Sequence, residues 1–203
     1  EISCSLVGSE MCIRDSSNIR RIFTTGFRSE WKNTMESQLL AISPKAKLLS
    51  VDYGKNPKDY QAAPIKITFR YEIPDYALKG EKEMFFRPLV MNNLYNQVRS
   101  YLRIDTSLKE RKYGFKDGCS RLVELDETIQ LPAGYKLANA DKNETMQGTG
   151  ADFEGSLAQQ GNKVLLHNKL ALKKRVYEAA DWDSFRNAVN AHKAYGEYLV
   201  IKK

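Results

Sequence analysis

Apolar residues recur with a helical period near the start of the chain. Four of them are spaced at intervals of four: Phe27, Trp31, Met35 and Leu39. This spacing predicts an amphipathic helix over residues 18–42 that packs through its apolar stripe. Ser43-Pro44 ends the helix, because the residue before a proline avoids the α region.

Alternation of apolar and polar residues then predicts antiparallel strands. The predicted strands cover residues 47–53, 65–73, 84–91, 123–131, 152–159, 163–176 and 198–203. Arg87-Pro88 indicates that part of the third run is an edge. Residues 138–150 are polar and predict a loop, whereas Asp181 begins a short helix with Trp182, Phe185 and Val189 on one face.

Together these elements predict a mainly β fold, an antiparallel β-sandwich with an N-terminal helix and a short C-terminal helix. We expect residues 17–45 to be a helix and linker from a preceding domain, and residues 46–203 to be the sandwich. Residues 92–119 show no clear period, so the strand order there stays open.

The first sixteen residues do not share this pattern. Back-translated, residues 1–16 fit an adapter used to prepare sequencing libraries, which indicates a fragment of a metagenomic gene. The alternative is a genuine N-terminal segment. If the adapter interpretation holds, a missing signal peptide says nothing about localisation. Cys119 is then the one natural cysteine, since Cys4 and Cys12 belong to the adapter.

Length and composition exclude several classes of protein. The chain has 203 residues, of which 42% are hydrophobic and 28% charged, as in an ordinary globular domain. No apolar stretch approaches the roughly 18 to 20 residues that span a bilayer, so we expect no membrane span. Two histidines and three cysteines leave little material for zinc sites or Cys-His catalysis.

The candidate nucleophile and the histidines favour structural roles. Cys119 follows a glycine and precedes a predicted strand, so it lacks the helix N-terminus that stabilises a reactive thiolate. His167 lies within a predicted strand and His192 near the end of the last helix. Without supporting Cys or His spacing they form a poor metal site, and we expect both at the surface or rim.

Carboxylates occur in two loose pairs, Glu124 with Asp126 and Asp181 with Asp183. On a strand, the first pair points the same way about 7 Å apart, which could resemble an acid–base pair. Alternation with apolar neighbours explains it better as the solvated face of the strand. We therefore predict no catalytic, cofactor-binding or metal-binding residue, and no cofactor.

Basic residues exceed acidic ones, with a formal net charge of +7. They form two clusters near Tyr113, Phe115 and Tyr177: Lys109-Glu110-Arg111-Lys112 and Lys173-Lys174-Arg175. Basic residues interleaved with aromatics can bind nucleic acid. Because the charge is spread along the chain and no nucleic-acid-binding motif is present, we favour a solvated face, or one that meets an acidic partner or a missing domain.

Several segments carry a resemblance to a known family. They are residues 42–44, 65–77, 129–135 (IQLPAGY), the final helix around Phe185, and residues 198–203. Their order resembles the C-terminal domain of unknown function of bacterial transglutaminase-like proteins, in which a papain-like cysteine-enzyme core lies upstream. The catalytic Cys, His and Asp of that family belong to the core, and no position here matches them.

The resemblance implies a non-catalytic C-terminal domain of a truncated transglutaminase-like protein, not itself an enzyme. Such a domain would pack against, or position substrate for, the missing core. The resemblance also implies a periplasmic, cell-envelope or secreted parent protein; the oligomeric state stays open. The alternative is a carbohydrate- or peptide-binding module that stacks ligands on Trp31 or Trp182, although both lie on predicted apolar faces where we expect burial.

Overall fold

The computed structural model describes residues 3–7, 21, 23–54, 58, 67–89, 104–118, 120–138 and 141–203. Its two helices with fully described bounds are α1 (Trp31–Leu40) and α2 (Trp182–Ala194), and residues 21 and 23–25 are also helical. The strands are β1 (Ser3–Val7), β2 (Lys47–Asp52), β3 (Thr68–Glu72), β4 (Leu78–Lys79), β5 (Glu83–Phe86), β6 (Phe115–Lys116), β7 (Arg121–Gln130), β8 (Lys136–Leu137), β9 (Lys142–Met146), β10 (Ala151–Gln160), β11 (Lys163–Leu172), β12 (Val176–Tyr177) and β13 (Leu199–Lys202). Short 3₁₀ turns at Arg28–Glu30 and Ala179–Asp181 precede the two helices.

The described strands form antiparallel sheets, which confirms the predicted fold class. The larger sheet has the order β1-β7-β11-β10-β9, and the smaller sheet has the order β4-β5-β13-β8. Two further pairs, β2 with β3 and β6 with β12, lie outside these sheets. The predicted hairpin turn joins β10 to β11 at Gly161, whose φ of +61° suits glycine.

The main core lies on one face of the larger sheet. Strict alternation of buried and half-buried residues along β7 and β11 puts Val123 opposite Leu170 and Ile129 opposite Val164, all buried. Helix α2 packs over β10 and β11 and buries Trp182, Phe185 and Val189 as predicted. Residues of the smaller sheet enter the same core: Phe86, Leu199 and Ile201.

A second, smaller core holds α1 against β2. Phe23, Trp31 and Met35 are buried there, with Leu48, Val51, Tyr53 and Ile67 packed around them. The rings of Phe23 and Trp31 meet edge to face, with centroids 5.1 Å apart. The boundary expected at residues 45/46 stays a prediction.

The predicted first helix is interrupted in the structure: residues 21 and 23–25 are helical as predicted, the helix breaks at Gly26 and Phe27, and it resumes in α1. Phe27 has extended backbone (φ −71°, ψ 149°) just before the 3₁₀ turn, and its side chain is 77% exposed. Its predicted place on the apolar stripe is wrong because the stripe requires a continuous helix. Trp31, Met35 and Leu39 are buried as predicted. Residues 18–20 and 22 lie outside the described residues.

Three strand predictions need correction. Residues 142–146, predicted as loop, form β9, because a strand at the edge of a sheet faces water and needs no apolar alternation. Strand β11 ends at Leu172, and Val176–Tyr177 pairs with β6 instead. Strand β5 stops at Phe86 before the proline and lies between β4 and β13, so it is not an edge.

The N-terminal strand β1 pairs with the outer side of β7. The adapter interpretation of residues 1–16 stays a prediction, and residues 1–2 and 8–16 lie outside the described residues. Within the part of the chain that the structure describes, no helix combines the length and apolar character needed to cross a membrane.

Candidate functional site

The segments that carry the two basic clusters, about 60 residues apart in sequence, meet in the structure through a short strand pair. The short strands β6 and β12 pair so that Lys116 lies opposite Val176 and Phe115 opposite Tyr177. Asp117 N also donates a hydrogen bond to Arg175 O at 3.0 Å. The pairing brings residues 114–117 next to residues 175–177.

Aromatic stacking holds this strand pair on α2. The rings of Phe115 and Tyr177 are parallel with centroids 4.6 Å apart, and Phe115 also meets Phe185 of α2 at 4.9 Å. Gly114 permits the approach, because a Cβ at this position would lie 2.5 Å from Tyr177 O. Burial raises the pKa of the Tyr177 phenol to about 12, so this side chain is neutral at physiological pH.

The segment before β6 is also fastened to α2. The indole Nε1 of Trp182 donates to Leu108 O at 3.1 Å, and Arg186 Nε donates to Thr106 O at 3.2 Å. The guanidinium of Arg111 lies over the Trp182 ring, 4.4 Å from its centroid, in a cation–π contact. Residues 104–116 therefore have a fixed backbone although their strand content is small.

The exposed acid Glu110 lies between Lys109 and Arg111 in sequence. Seven further exposed side chains on these segments form what we call the basic surface. They are Leu108, Lys109, Lys112, Tyr113, Lys116, Arg175 and Val176. Tyr113 is 82% and Val176 62% exposed. Within the described residues, none of its four cations makes an ion pair or a side-chain hydrogen bond.

The neighbouring lysines have structural partners instead. Lys173 Nζ lies 2.7 Å from the carboxylate of Asp152, and Lys174 Nζ lies 2.7 Å from that of Asp181. Asp181 also accepts a hydrogen bond from Glu178 N at 2.9 Å, which closes the turn before α2. The Lys174 ammonium holds the pKa of Asp181 below its usual range. Asp183 is exposed, so the two carboxylates do not act as a pair.

The other predicted pair, Glu124 with Asp126, lies on the outward face of the larger sheet. His167 lies directly opposite Asp126 in the register of β7 and β11. Its Nδ1 donates to Asp126 Oδ1 at 2.7 Å, and the side chain is partly exposed, as expected of a rim residue. The sequence does not reveal that His167 lies beside Glu124 and Asp126, because the pairing of β7 with β11 joins residues about 40 positions apart.

His192 was expected at the rim, but it is buried in the main core. Its Nδ1 donates to Asn168 Oδ1 of β11 at 2.5 Å. The spacing of 185, 189 and 192 along α2 puts the histidine on the apolar face, a signal that the sequence contains. Sequence reasoning also missed Glu127, a buried carboxylate that accepts from Leu89 N at 2.9 Å. Cys119 lies outside the described residues.

Both tryptophans are buried as expected. Trp31 lies in the small core and Trp182 in the main core, with 3% and 1% of their surfaces exposed. Neither can serve as a platform for a sugar ring, which weakens the alternative of a carbohydrate-binding module.

Comparisons with known proteins give one family and one distant structural likeness. The model of DUF3858, a family of domains of unknown function with a solved structure, matches residues 82–200, which is more than half of the chain. A crystal structure at 2.00 Å of a candidate protease from Parabacteroides distasonis ATCC 8503 is similar with a TM-score of 0.48 and 12% sequence identity. The match covers 61% of this chain and 24% of that one, so the chain spans about a quarter of that protein. None of the curated proteins compared matches the chain.

Proposed function

The chain belongs to DUF3858, a family of domains of unknown function, and from this membership we propose that it is the non-catalytic C-terminal domain of a transglutaminase-like protein. In this role it packs against the cysteine-enzyme core of its parent. The resemblance of residues 42–44, 65–77, 129–135 and 198–203 to such C-terminal domains supports the proposal. It equally supports a parent protein that works in the periplasm, the cell envelope or outside the cell.

The basic surface is the single observation that carries the docking role. Tyrosine and arginine are enriched among the residues that dominate binding energy, and Tyr113 presents nearly its whole ring to solvent. The surrounding lysines provide the charged rim that directs association. Because residues 104–116 are already fastened to α2, binding through them costs little ordering of the backbone.

The chemistry of this surface defines the face that it contacts. An apolar pocket for Tyr113 surrounded by carboxylates would complement Lys109, Lys112, Lys116 and Arg175. Attraction between exposed charges is screened within about 8 Å at physiological ionic strength, so the affinity should fall as salt rises.

The experiment begins with recovery of the upstream coding sequence from the same source. The encoded core is produced as a separate chain, and its binding to this chain is measured by calorimetry at low and physiological ionic strength. We expect Tyr113→Ala to weaken binding by about tenfold or more, as for a central aromatic contact. We expect Lys112→Glu to weaken it mainly at low salt.

Two matched substitutions serve as controls. Tyr198 is a partly exposed tyrosine beyond the C-terminal end of α2, whereas the basic surface lies by its N-terminal end. Lys163 is an exposed lysine at the opposite end of β11 from Lys173. Tyr198→Ala and Lys163→Glu should bind like the unchanged chain. An upstream sequence without a Cys/His/Asp core, or equal binding by Tyr113→Ala, would contradict the proposal.

A further inference from the structure

One imidazole and two carboxylates converge on the outward face of the larger sheet, apart from the basic surface. Glu124 and Asp126 are successive outward residues of β7, and His167 comes from the paired strand β11. One ligand atom from each lies within 4.8 Å of the other two, and all three side chains are partly buried. These atoms are therefore near enough for one ion to reach all three after small side-chain rotations.

Glu124 provides the observation that separates this cluster from an ordinary ion pair. Lys169 lies directly opposite Glu124 in the register. Even so, Glu124 makes no ion pair or hydrogen bond within the described residues, and its carboxylate lies near Asp126 and His167 instead. Two carboxylates at this separation repel one another, and the hydrogen bond from His167 goes to Asp126. Within the described residues, no lysine or arginine forms an ion pair with either acid.

We propose that Glu124, Asp126 and His167 bind a divalent first-row transition ion, with Zn²⁺ as the representative. Imidazole nitrogen and carboxylate oxygen are ligands that Zn²⁺ accepts at about 2.0 to 2.2 Å, and three protein ligands leave one position for water. The ion takes the place of the Nδ1 proton of His167, which moves through solvent to Nε2. Partial exposure of the three side chains gives the ion access.

The backbone is suited to hold such a site. Strand β11 lies between β7 and β10, so His167 is fixed by pairing on both sides. Asp126 and Glu124 share the other strand of the same pair and differ by two residues, which puts them on one face. Ligands on paired strands keep their spacing better than ligands on a loop.

Calorimetric titration of the metal-free chain with Zn²⁺ tests the proposal. The thiols are first alkylated, because Cys4, Cys12 and Cys119 would compete for zinc. We expect one ion per chain, and His167→Ala should weaken its binding by more than about tenfold, since loss of even an outer-shell partner costs this much. Zn²⁺ should also raise the melting temperature of the unchanged chain.

Two further substitutions keep the test decisive. Glu124→Gln removes one negative ligand with little change in shape and should weaken binding even if His167→Ala folds poorly. Glu154 is an exposed acid on β10, opposite Lys169, so Glu154→Gln should leave the affinity unchanged. Absence of saturable binding, or equal affinity in all the variants, would overturn the proposal. Neither result bears on the basic surface.

Discussion

Gly155 lies on β10 beside Tyr195, the residue that follows α2. A Cβ built at this position would meet the Phe153 ring at 2.6 Å and the Tyr195 ring at 2.7 Å. Both rings are buried in the main core, so neither has free space into which it could rotate. A glycine inside an otherwise regular strand thus has a packing reason, which the sequence alone does not disclose.

We expect Gly155→Ala to lower the free energy of unfolding by about 1–3 kcal/mol, the usual cost of overpacking a core. This change in the free energy of unfolding is measured by chemical denaturation, monitored by circular dichroism. Gly80→Ala is the matched control, because the nearest atom to its added Cβ is 3.4 Å away. Equal stability of the two variants would show that the strand can shift to accept a methyl group.

The contact between Lys174 and Asp181 should make stability depend on pH. Because the pKa of Asp181 is lowered in the folded chain, the unfolded chain binds more protons as pH falls below the usual carboxyl value of about 3.9. The stabilisation is therefore complete above that pH and is lost as pH falls through the folded pKa. Near pH 6 the Lys174→Met variant should have a lower melting temperature than the unchanged chain. This difference in melting temperature, the gap, should narrow below pH of about 4. A gap that stays constant over this range would exclude the ion pair as its cause.

At the scale of elements, periodicity predicted the faces of long segments and failed for short or polar ones. The alternation in β7 and β11 and the helical spacing in α2 are dictated by one continuous buried face, so the sequence carries them. Strand β9 has no such signal because pairing with β10, not burial, makes it a strand. Strands β6 and β12 are two residues long each, which is too short to show an alternation of apolar and polar residues.

Phe185 and Phe27 were both predicted on apolar helix faces, but only Phe185 lies on one in the structure. We expect Phe185→Ala in α2 to destabilise the chain by about 3–5 kcal/mol, since its ring is fully buried among other aromatics. Phe27→Ala should change stability by less than about 0.5 kcal/mol, as for an exposed residue outside the helix. Urea denaturation measures both. A large cost at Phe27 would indicate that its exposed ring contacts a neighbouring part of the chain.

At the scale of the whole molecule, two clusters of buried apolar residues can be distinguished among the described residues, with one tryptophan each. Trp31 belongs with α1 and β2, and Trp182 with the two sheets and α2. The residues that match the family model, 82–200, include the second tryptophan and exclude the first. The small core thus has its own set of contacts.

We expect the small core to unfold separately when it is weakened. Met35→Ala removes a buried side chain from it, at a cost of about 2–5 kcal/mol. In a Trp182→Phe background, where fluorescence reports Trp31, adding Met35→Ala should lower the denaturation midpoint. In a Trp31→Phe background, where fluorescence reports Trp182, it should stay within error. Equal shifts in both backgrounds would mean that the two cores unfold as one unit.

The sequence by itself determined the fold class, the inward faces of β7, β10, β11 and α2, and the burial of both tryptophans. These follow from local spacing, because burial of one face imposes a period of two on strands and about 3.6 on helices. Only the tertiary structure decided which segments meet. The convergence of Glu124, Asp126 and His167, and that of the segments that carry the two basic clusters, depends on strand pairing between distant residues. Such pairing is set by the register and packing of the whole sheet, which no local pattern contains.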